Sequence, residues 1–174
     1  EDFVNIYLLL GTERALLIDT GNGSGNLLEV LRSFTNLPLQ IVATHGHADH
    51  LGGAGWFHDV MVHEADLAPV YTRSATPFAS RIAAKMFGVK YRPVKKLHKS
   101  VFTPISLPLS IELGDRTVEA IHLPGHTAGS IGLLDRKNRM LFCGDAVGRQ
   151  MQMMSPGTLP LEELLKTIDM VIPY

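Results

Sequence analysis

Three histidines and an aspartate occupy the six positions from His45 to His50, directly after a strand predicted at residues 40–43. Successive side chains that leave a strand end can turn in two directions. His45 and His47 can therefore converge on one point. Asp49 and His50 can converge on a second point beside it. Because imidazole and carboxylate groups bind divalent cations, the pattern indicates two adjacent metal ions at a strand end.

Two further candidate ligands lie far along the chain, each after a predicted strand. His126 occurs in LPGHTAGS, after a strand predicted at 117–123, and Asp145 occurs in LFCGDAVG, after a strand predicted at 139–142. The alternative is that the histidines lie in exposed loops and have no function. Two more metal-binding side chains at strand ends argue against that alternative. The glycines of LGGAG, next to the first motif, predict a close approach of backbone to this site or to the neighbouring strand.

The composition predicts one globular domain, because 174 residues with 45% hydrophobic content suffice for a single buried core. The net charge of −1 provides no overall attraction to nucleic acid or acidic lipid. Cys143 is the only cysteine, which excludes an internal disulfide and makes the cytoplasm the expected location. No apolar run reaches the length of a membrane span. The chain opens on Glu1 without a methionine, so export stays open as an alternative.

Apolar periodicity divides the chain into strands and helices in the order of a layered α/β domain. A helix is predicted over 26–34, with Ser24 or Asn26 as its N-cap. Another is predicted over 161–168, followed by an apolar strand over 170–172. Strands, the second of them buried on both faces, are predicted in the opening NIYLLL and at residues 15–18, 40–43, 60–63, 106–113, 117–123, 130–135 and 139–142.

These motifs together resemble those of the metallo-β-lactamase-fold hydrolase superfamily. The matching segments are THGHADHLGG at 44–53, GHT at 125–127, GD at 144–145 and DTG at 19–21. The resemblance covers the chain apart from a basic segment in its middle. It implies an α/β protein with a four-layer αββα sandwich, in which two mixed sheets lie inside and helices outside. The active site would lie along one edge, where strand ends meet.

The resemblance also implies a set of metal ligands and the chemistry they support. It implies two zinc ions, with iron or manganese as alternatives, and a hydroxide nucleophile, because two dications lower the pKa of a shared water. Asp49 is also the predicted catalytic residue, since it could orient this hydroxide. Asp19 is predicted to orient a ligand histidine or its loop, with an Asx turn as the alternative. The implied ligands are His45, His47 and His126 for the first metal, Asp49 and His50 for the second, and Asp145 between both.

One ligand of the superfamily pattern has no counterpart in this sequence. The superfamily usually supplies a further histidine to the second metal from the end of a late strand, and no histidine follows His126. Either the chain stops just before that residue or the second site is weak. We expect the former, because an apolar run leads into Tyr174.

The reaction we expect is hydrolysis of a small ester, thioester or lactone. An aspartate at the position of Asp145 is typical of the esterase, thioesterase, lactonase and phosphodiesterase branches, and uncommon in true β-lactamases. The motifs are most similar to those of glyoxalase-II-like thioesterases and their uncharacterised relatives. Two alternatives are phosphodiester cleavage on a nucleotide or nucleic acid, and a metal-bearing module without hydrolytic activity, such as a di-iron redox or binding domain.

Residues 67–111 contain no acidic side chain but several lysines and arginines. Residues 67–105 are predicted as a helical insertion that covers the active site, with a helix over 76–88. Its basic side chains could bind an anionic small-molecule substrate, with a solvated surface as the alternative. Nucleic acid is a disfavoured partner, because basic and aromatic residues do not alternate densely here. No membrane partner is expected, and the oligomeric state is left open. The candidate substrate-binding residues are Arg81, Lys85 and Arg92.

Overall fold

The computed structural model describes residues 4–68, 101–148 and 157–172. Most of the basic segment lies outside these ranges. The helix predicted over 76–88 therefore lies outside the described residues, as do the three candidate substrate-binding residues Arg81, Lys85 and Arg92. Among the helices that are described, none combines the length and hydrophobicity needed to cross a bilayer.

Within the described residues, the first sheet contains five strands, β1 (Tyr7–Leu10), β2 (Ala15–Ile18), β3 (Leu39–Val42), β4 (Val60–His63) and β5 (Phe102–Ile105). They lie side by side in chain order. β1 and β2 form an antiparallel hairpin, and the other neighbours pair in parallel. Parallel neighbours need a crossover, which helix α1 (Leu27–Arg32) supplies between β2 and β3. Asn26 caps α1 by accepting a hydrogen bond from the Glu29 N–H at 3.3 Å.

The second sheet contains β6 (Leu109–Glu112), β7 (Thr117–His122), β8 (Ile131–Asp135) and β9 (Met140–Phe142), again in chain order. Each pairing among these described strands is antiparallel. The first sheet is mixed, as predicted. The described part of the second sheet differs from that prediction, because its strands are joined by direct connections without a crossover helix.

The two sheets pack face to face over a shared apolar core. β2 contributes Leu16 and Ile18, and β3 contributes Val42, all of them fully buried. They pack with buried residues of the second sheet, including Val118 and Leu133. Burial of one such side chain stabilises the fold by about 1.5–3 kcal/mol relative to leaving it in water. This core fixes the position of one sheet against the other and so positions the loops at their edges.

The opposite face of the first sheet carries a second apolar cluster. Leu17 of β2 lies there and packs with Leu31 of α1 and Ile41 of β3. β2 is therefore buried on both faces, as its run of four apolar residues predicts. With the remaining described helices, α2 (Ala48–Leu51) and α3 (Leu161–Val171), these layers agree with the αββα sandwich expected from the sequence.

The last strand predicted from the sequence is wrong. Residues 170 and 171 continue helix α3, and Ile172 is its C-cap. Leu164, Ile168 and Val171 recur at helical spacing, and an apolar run of three residues does not distinguish a short strand from a helix end.

The end of the predicted insertion belongs to the first sheet. Residues 102–105 form β5, which pairs in parallel with β4 along its whole length. Pro104 obscures this strand in the sequence, because proline lacks the backbone N–H of a central strand residue. β5 is the outer strand of the described sheet, where proline is tolerated. The predicted boundaries 67–105 therefore extend too far towards the C-terminus.

One edge of the sandwich collects strand ends from both sheets. β2, β3 and β4 run parallel, so their carboxyl ends meet at this edge. β7 and β9 are both antiparallel to β8 and therefore also end together. The Ile131 N–H donates to the Thr44 carbonyl oxygen at 2.8 Å and joins the two sheets here. The predicted metal ligands lie in the loops that leave these strand ends.

Candidate metal centre

Three buried imidazoles meet where the loops after β3 and β7 approach each other. His45 lies just beyond β3, His47 is the N-cap of α2, and His126 lies in the loop after β7. Their ring centroids are 4.6–4.7 Å apart. The nearest nitrogens, His126 Nε2 and His47 Nδ1, are separated by 2.9 Å. One nitrogen from each ring can therefore contribute to a single cation site.

A second group shares His45 and adds His50 and Asp145. His50 lies on α2, and Asp145 follows β9. One ligand atom from each of these three residues lies within 4.8 Å of the others. The Asp145 carboxylate contacts both groups. Its Oδ1 is 3.4 Å from His50 Nε2, and its Oδ2 is 3.6 Å from His126 Nε2. The structure thus brings the predicted histidines and Asp145 into one cluster.

Asp49 lies at the rim of this cluster. Its side chain is half exposed, and its Oδ2 is 3.9 Å from His50 Nε2. It belongs to neither of the two groups of atoms found in the described residues, although the sequence pattern predicts it for the second metal. Helix α2 explains this position, because adjacent helical residues project in different directions.

Asp19 is buried at the end of β2 and supports His50 of the cluster and Thr44, which precedes His45. Its carboxylate accepts hydrogen bonds from the Thr44 N–H at 2.7 Å and from Thr44 Oγ1 at 2.9 Å. His50 Nδ1 lies 2.8 Å from its Oδ2. The backbone of Asp19 has a φ of +64°, an uncommon conformation for a residue other than glycine. The contact with His50 is of the kind that an orienting residue makes, and the orienting role of Asp19 stays a prediction.

The hydrogen bonds of Thr44 determine which nitrogen of His45 is available. The Thr44 hydroxyl has a single hydrogen, and it donates its hydrogen bond to Asp19. It therefore accepts a hydrogen bond from the Nδ1–H group of His45 at 3.1 Å. His45 Nε2 then carries a lone pair, and it is buried without a hydrogen-bond partner among the described residues. Burial and the neighbouring imidazoles lower the pKa of His45 well below its ordinary value. A neutral, buried and unpaired imidazole nitrogen fits a metal ion.

His50 Nε2 is likewise buried and lacks a hydrogen-bond partner in the part of the chain that the structure describes. Burial lowers the pKa of His50, but the carboxylates of Asp145 and Asp19 outweigh this effect and raise the pKa to about 10. Contact with His50 in turn holds the pKa of Asp145 below its usual value. A metal ion at Nε2 would take the place of the ring proton, because histidine binds metals in its neutral form.

Glycines allow the loops around the cluster to approach each other. Gly144 has a φ of +52°, and a Cβ atom there would lie 2.4 Å from Thr44 Oγ1. A Cβ atom on Gly53 would lie 2.3 Å from the carbonyl oxygen of Thr20. The close backbone approach predicted for the LGGAG glycines is therefore confirmed at Gly53. Gly144 similarly allows Asp145 to reach the histidines.

Asp66 supports the cluster but is absent from the residues predicted from the sequence. It ends the 3₁₀ turn Glu64–Asp66 after β4, is 1% exposed, and accepts hydrogen bonds from the loops after β3 and β7. Its sequence signal is a position just beyond a partly buried strand, similar to that of Asp19. Its spacing alone does not relate it to the histidines.

The sequence matches the family model of the metallo-β-lactamase superfamily over residues 1–172. It is 35% identical to the acyl-coenzyme A thioesterase MBLAC2 of Gallus gallus over 158 residues, which are 82% of this chain and 57% of that protein. It is 32% identical to the hydroxyacylglutathione hydrolase of Nitrosomonas europaea over 142 residues, with 82% of this chain and 44% of that protein covered. The chain therefore spans about half the length of these two relatives.

A similar fold occurs in the crystal structure of TTHA1623 in a di-iron-bound form. The TM-score is 0.71 at 27% sequence identity, and the match covers 98% of this chain and 81% of that chain. The sandwich, the cluster at its edge and the family match agree with one another. By sequence and by fold, this chain belongs to the metallo-β-lactamase superfamily.

Proposed function

We propose that this protein is a metal-dependent hydrolase of a small acyl compound, namely a thioester, an ester or a lactone. The observation that carries the proposal is the position of the Asp145 carboxylate between His50 and His126, 3.4 and 3.6 Å from their Nε2 atoms. Such a carboxylate can serve two cations at once. Two divalent cations would supply Lewis-acid chemistry that makes water nucleophilic at neutral pH and polarises an acyl carbonyl.

Hydrogen bonding favours one division of the ligands between the two cations. His45 belongs to both groups, but its Nδ1 is engaged by Thr44, which leaves Nε2 for a single cation. We assign that atom to the first metal, because the three-histidine group is the more deeply buried of the two. The proposed ligands are His45, His47 and His126 for the first metal, His50 and Asp49 for the second, and Asp145 for both.

We propose zinc as the metal, since imidazole and carboxylate ligands in this combination suit it. Iron is the competing metal, because TTHA1623 was crystallised in a di-iron-bound form. Asp19 would hold the ring of His50 in the orientation that presents Nε2. Asp49, half exposed beside His50, is the residue we propose to orient the attacking water.

The relatives favour an acyl substrate over a phosphodiester. Their names, acyl-coenzyme A thioesterase and hydroxyacylglutathione hydrolase, both denote hydrolysis of an acyl compound. A thioester is therefore the first substrate to test. The basic segment before β5 is proposed to cover the site and to bind an anionic substrate, because guanidinium and ammonium groups pair with phosphates and carboxylates. The residues proposed for this contact are Arg81, Lys85 and Arg92.

Metal analysis combined with a choice of substrates tests the proposal. The protein is loaded separately with zinc, iron and manganese, and each form is assayed with an acyl-coenzyme A thioester, a lactone and bis(p-nitrophenyl) phosphate. We expect thioester or lactone cleavage that a chelator abolishes and added metal restores. Turnover of the phosphate diester alone would reject an acyl substrate and support a phosphodiesterase. Bound iron with visible absorbance and no hydrolysis would support a redox module.

A further inference from the structure

We propose that Asp66 is a positioning residue that sets the metal affinity of the three-histidine group by joining its two loops. The inference rests on the metal site of the proposed function. The Asp66 carboxylate accepts hydrogen bonds from the loop after β3 and from the loop after β7, and it is almost completely buried. It therefore links both sheets at the edge where the imidazoles meet.

Three hydrogen bonds carry this link. Asp66 Oδ2 accepts the Gly46 N–H and the Thr127 hydroxyl, each at 2.7 Å. Asp66 Oδ1 accepts the Gly129 N–H at 2.8 Å. Gly46 lies between His45 and His47 in the sequence, and Thr127 directly follows His126. Each histidine of the group is therefore next to a residue that this one carboxylate holds.

The hydroxyl of Thr127 extends the network in a defined direction. A hydroxyl donates one proton, and the Thr127 hydroxyl donates its proton to Asp66. It can then accept a hydrogen bond from Ser130 Oγ, which lies 2.8 Å away and also accepts the Thr127 N–H at 3.1 Å. The loop that carries His126 is thus held by Ser130 at its C-terminal end and by Asp66.

The pocket around Asp66 leaves little space for another side chain. A Cβ atom on Gly129 would lie 2.6 Å from Asp66 Cγ, so backbone packs directly against the carboxylate. Without the carboxylate, the N–H groups of Gly46 and Gly129 would lose their acceptors in a buried setting, which is unfavourable. The loops would then shift apart, and the three imidazole nitrogens would lose their common point.

Asp19 and Asp66 divide the support of the cluster between them. Asp19 contacts a ligand directly through His50 Nδ1 and holds Thr44. Among the described residues, Asp66 accepts no hydrogen bond from a ligand, and two of its three hydrogen bonds come from residues adjacent to ligands, Gly46 and Thr127. A substitution of Asp66 should therefore change the positions of the two loops and lower the affinity for the first metal. It should displace His50 least.

The test measures metal binding in the absence of substrate. Asp66→Asn keeps the shape of the side chain but replaces one acceptor oxygen with a donor, and Thr127→Val removes one donor while leaving Asp66 intact. We expect Asp66→Asn to raise the Kd for Co²⁺ at the first site by about 10–100-fold. This is the usual effect of replacing a residue whose hydrogen bonds orient metal ligands. We expect a smaller rise for Thr127→Val. The d–d absorption of bound Co²⁺ should shift in both variants, which reports an altered ligand geometry.

Asp59→Asn is the matched control. Asp59 is an exposed carboxylate that accepts a hydrogen bond from Thr103 and directly precedes β4, whereas Asp66 follows β4. The Asp59 substitution should leave the Kd and the Co²⁺ spectrum unchanged. Unchanged values in Asp66→Asn would overturn the inference, as would equal losses in the control. Should Asp66→Asn fail to fold, Thr127→Val alone decides, and an unaltered Kd and spectrum would refute the role of Asp66. Wild-type protein that binds two metals but hydrolyses nothing would reject the proposed reaction without affecting this inference.

Discussion

His50 Nδ1 lies 2.8 Å from Asp19 Oδ2, in a contact between two almost fully buried side chains. The carboxylate accepts a hydrogen bond from the Nδ1–H group and thereby turns the opposite nitrogen, Nε2, towards Asp145. Partners of this kind fix the ring orientation of metal-bound histidines and increase their basicity.

Asp19→Asn should weaken binding of the second metal. An asparagine has one acceptor oxygen where Asp19 uses two, so Thr44 or His50 loses its partner. We expect the Kd for the weaker zinc equivalent to rise by about 10–100-fold, measured by competition with a chromogenic chelator. Asp169→Asn, an exposed change on α3, should leave it unaltered. An unchanged affinity in Asp19→Asn would mean that the contact does not serve the metal.

Asp145→Asn should abolish hydrolysis while the fold persists. The neutral amide removes the charge that lies between His50 and His126. Because the loss of a metal ligand removes several kcal/mol of transition-state stabilisation, we expect kcat to fall by at least about 100-fold. Steady-state assays measure this loss, and far-ultraviolet circular dichroism checks the fold. Undiminished turnover would show that Asp145 does not bridge the two metals.

Gly144→Ala should destabilise the protein and displace Asp145. Its positive φ costs an alanine about 1–2 kcal/mol, and the new Cβ would also contact Thr44 Oγ1 at 2.4 Å. Gly25→Ala is the matched comparison, because Gly25 has a φ of +96° and open space around its Cβ position. Urea unfolding should therefore show the larger loss of unfolding free energy for Gly144→Ala. Equal losses would mean that the contact with Thr44 relaxes without consequence.

Asp135→Asn should lower stability at neutral pH and have less effect in acid. The Asp135 carboxylate is fully buried and accepts hydrogen bonds from Arg116 and from the turn residue Asn138. Burial raises the pKa of Asp135, but the hydrogen bonds from Asn138 and Arg116 outweigh it and lower the pKa below its usual value. The folded pKa is depressed, so the stabilisation is present above the unfolded pKa of about 3.9. It is lost as the pH falls through the folded pKa.

Unfolding in urea at pH 6 and at about pH 3 measures this dependence. At pH 6 we expect the substitution to cost about 1.5–3 kcal/mol, the range for a hydrogen bond to a charged group. At low pH the difference from wild type should shrink. Glu119→Gln breaks an exposed ion pair with Arg136 and should cost less than about 1 kcal/mol at either pH. A pH-independent loss in Asp135→Asn would contradict the assignment.

Local sequence patterns predict the centre of the fold well. The four apolar residues of β2 predict a strand buried on both faces, and Asn26 predicts the start of α1. The motif from His45 to His50 predicts a cluster because its residues are adjacent and follow a strand. The meeting of His126 with this motif is a long-range property, and it was predicted from the family resemblance.

Roles that depend on tertiary structure cannot be predicted from local patterns. Pro104 obscures β5, since its tolerance there depends on which strand lies at the sheet edge. Asp66 is one acid in a short turn, and its importance arises only when Gly46 and Gly129 approach it from two different loops. Asp49 and His50 are neighbours in the motif, yet α2 turns Asp49 outwards to the rim. Periodicity describes one element at a time and so carries no information on these contacts.

The hydrogen bond from Ile131 to Thr44 makes a single amide a reporter for the whole edge. Thr44 directly precedes His45, so any separation of the sheets that exposes the Ile131 amide to deuterium also pulls this proposed ligand away from its neighbours. Exchange at this amide should slow when cations fill the centre, because the ions oppose the same opening. The deuterium exchange rate of the Ile131 amide would then measure how strongly bound cations stabilise the contact between the two sheets.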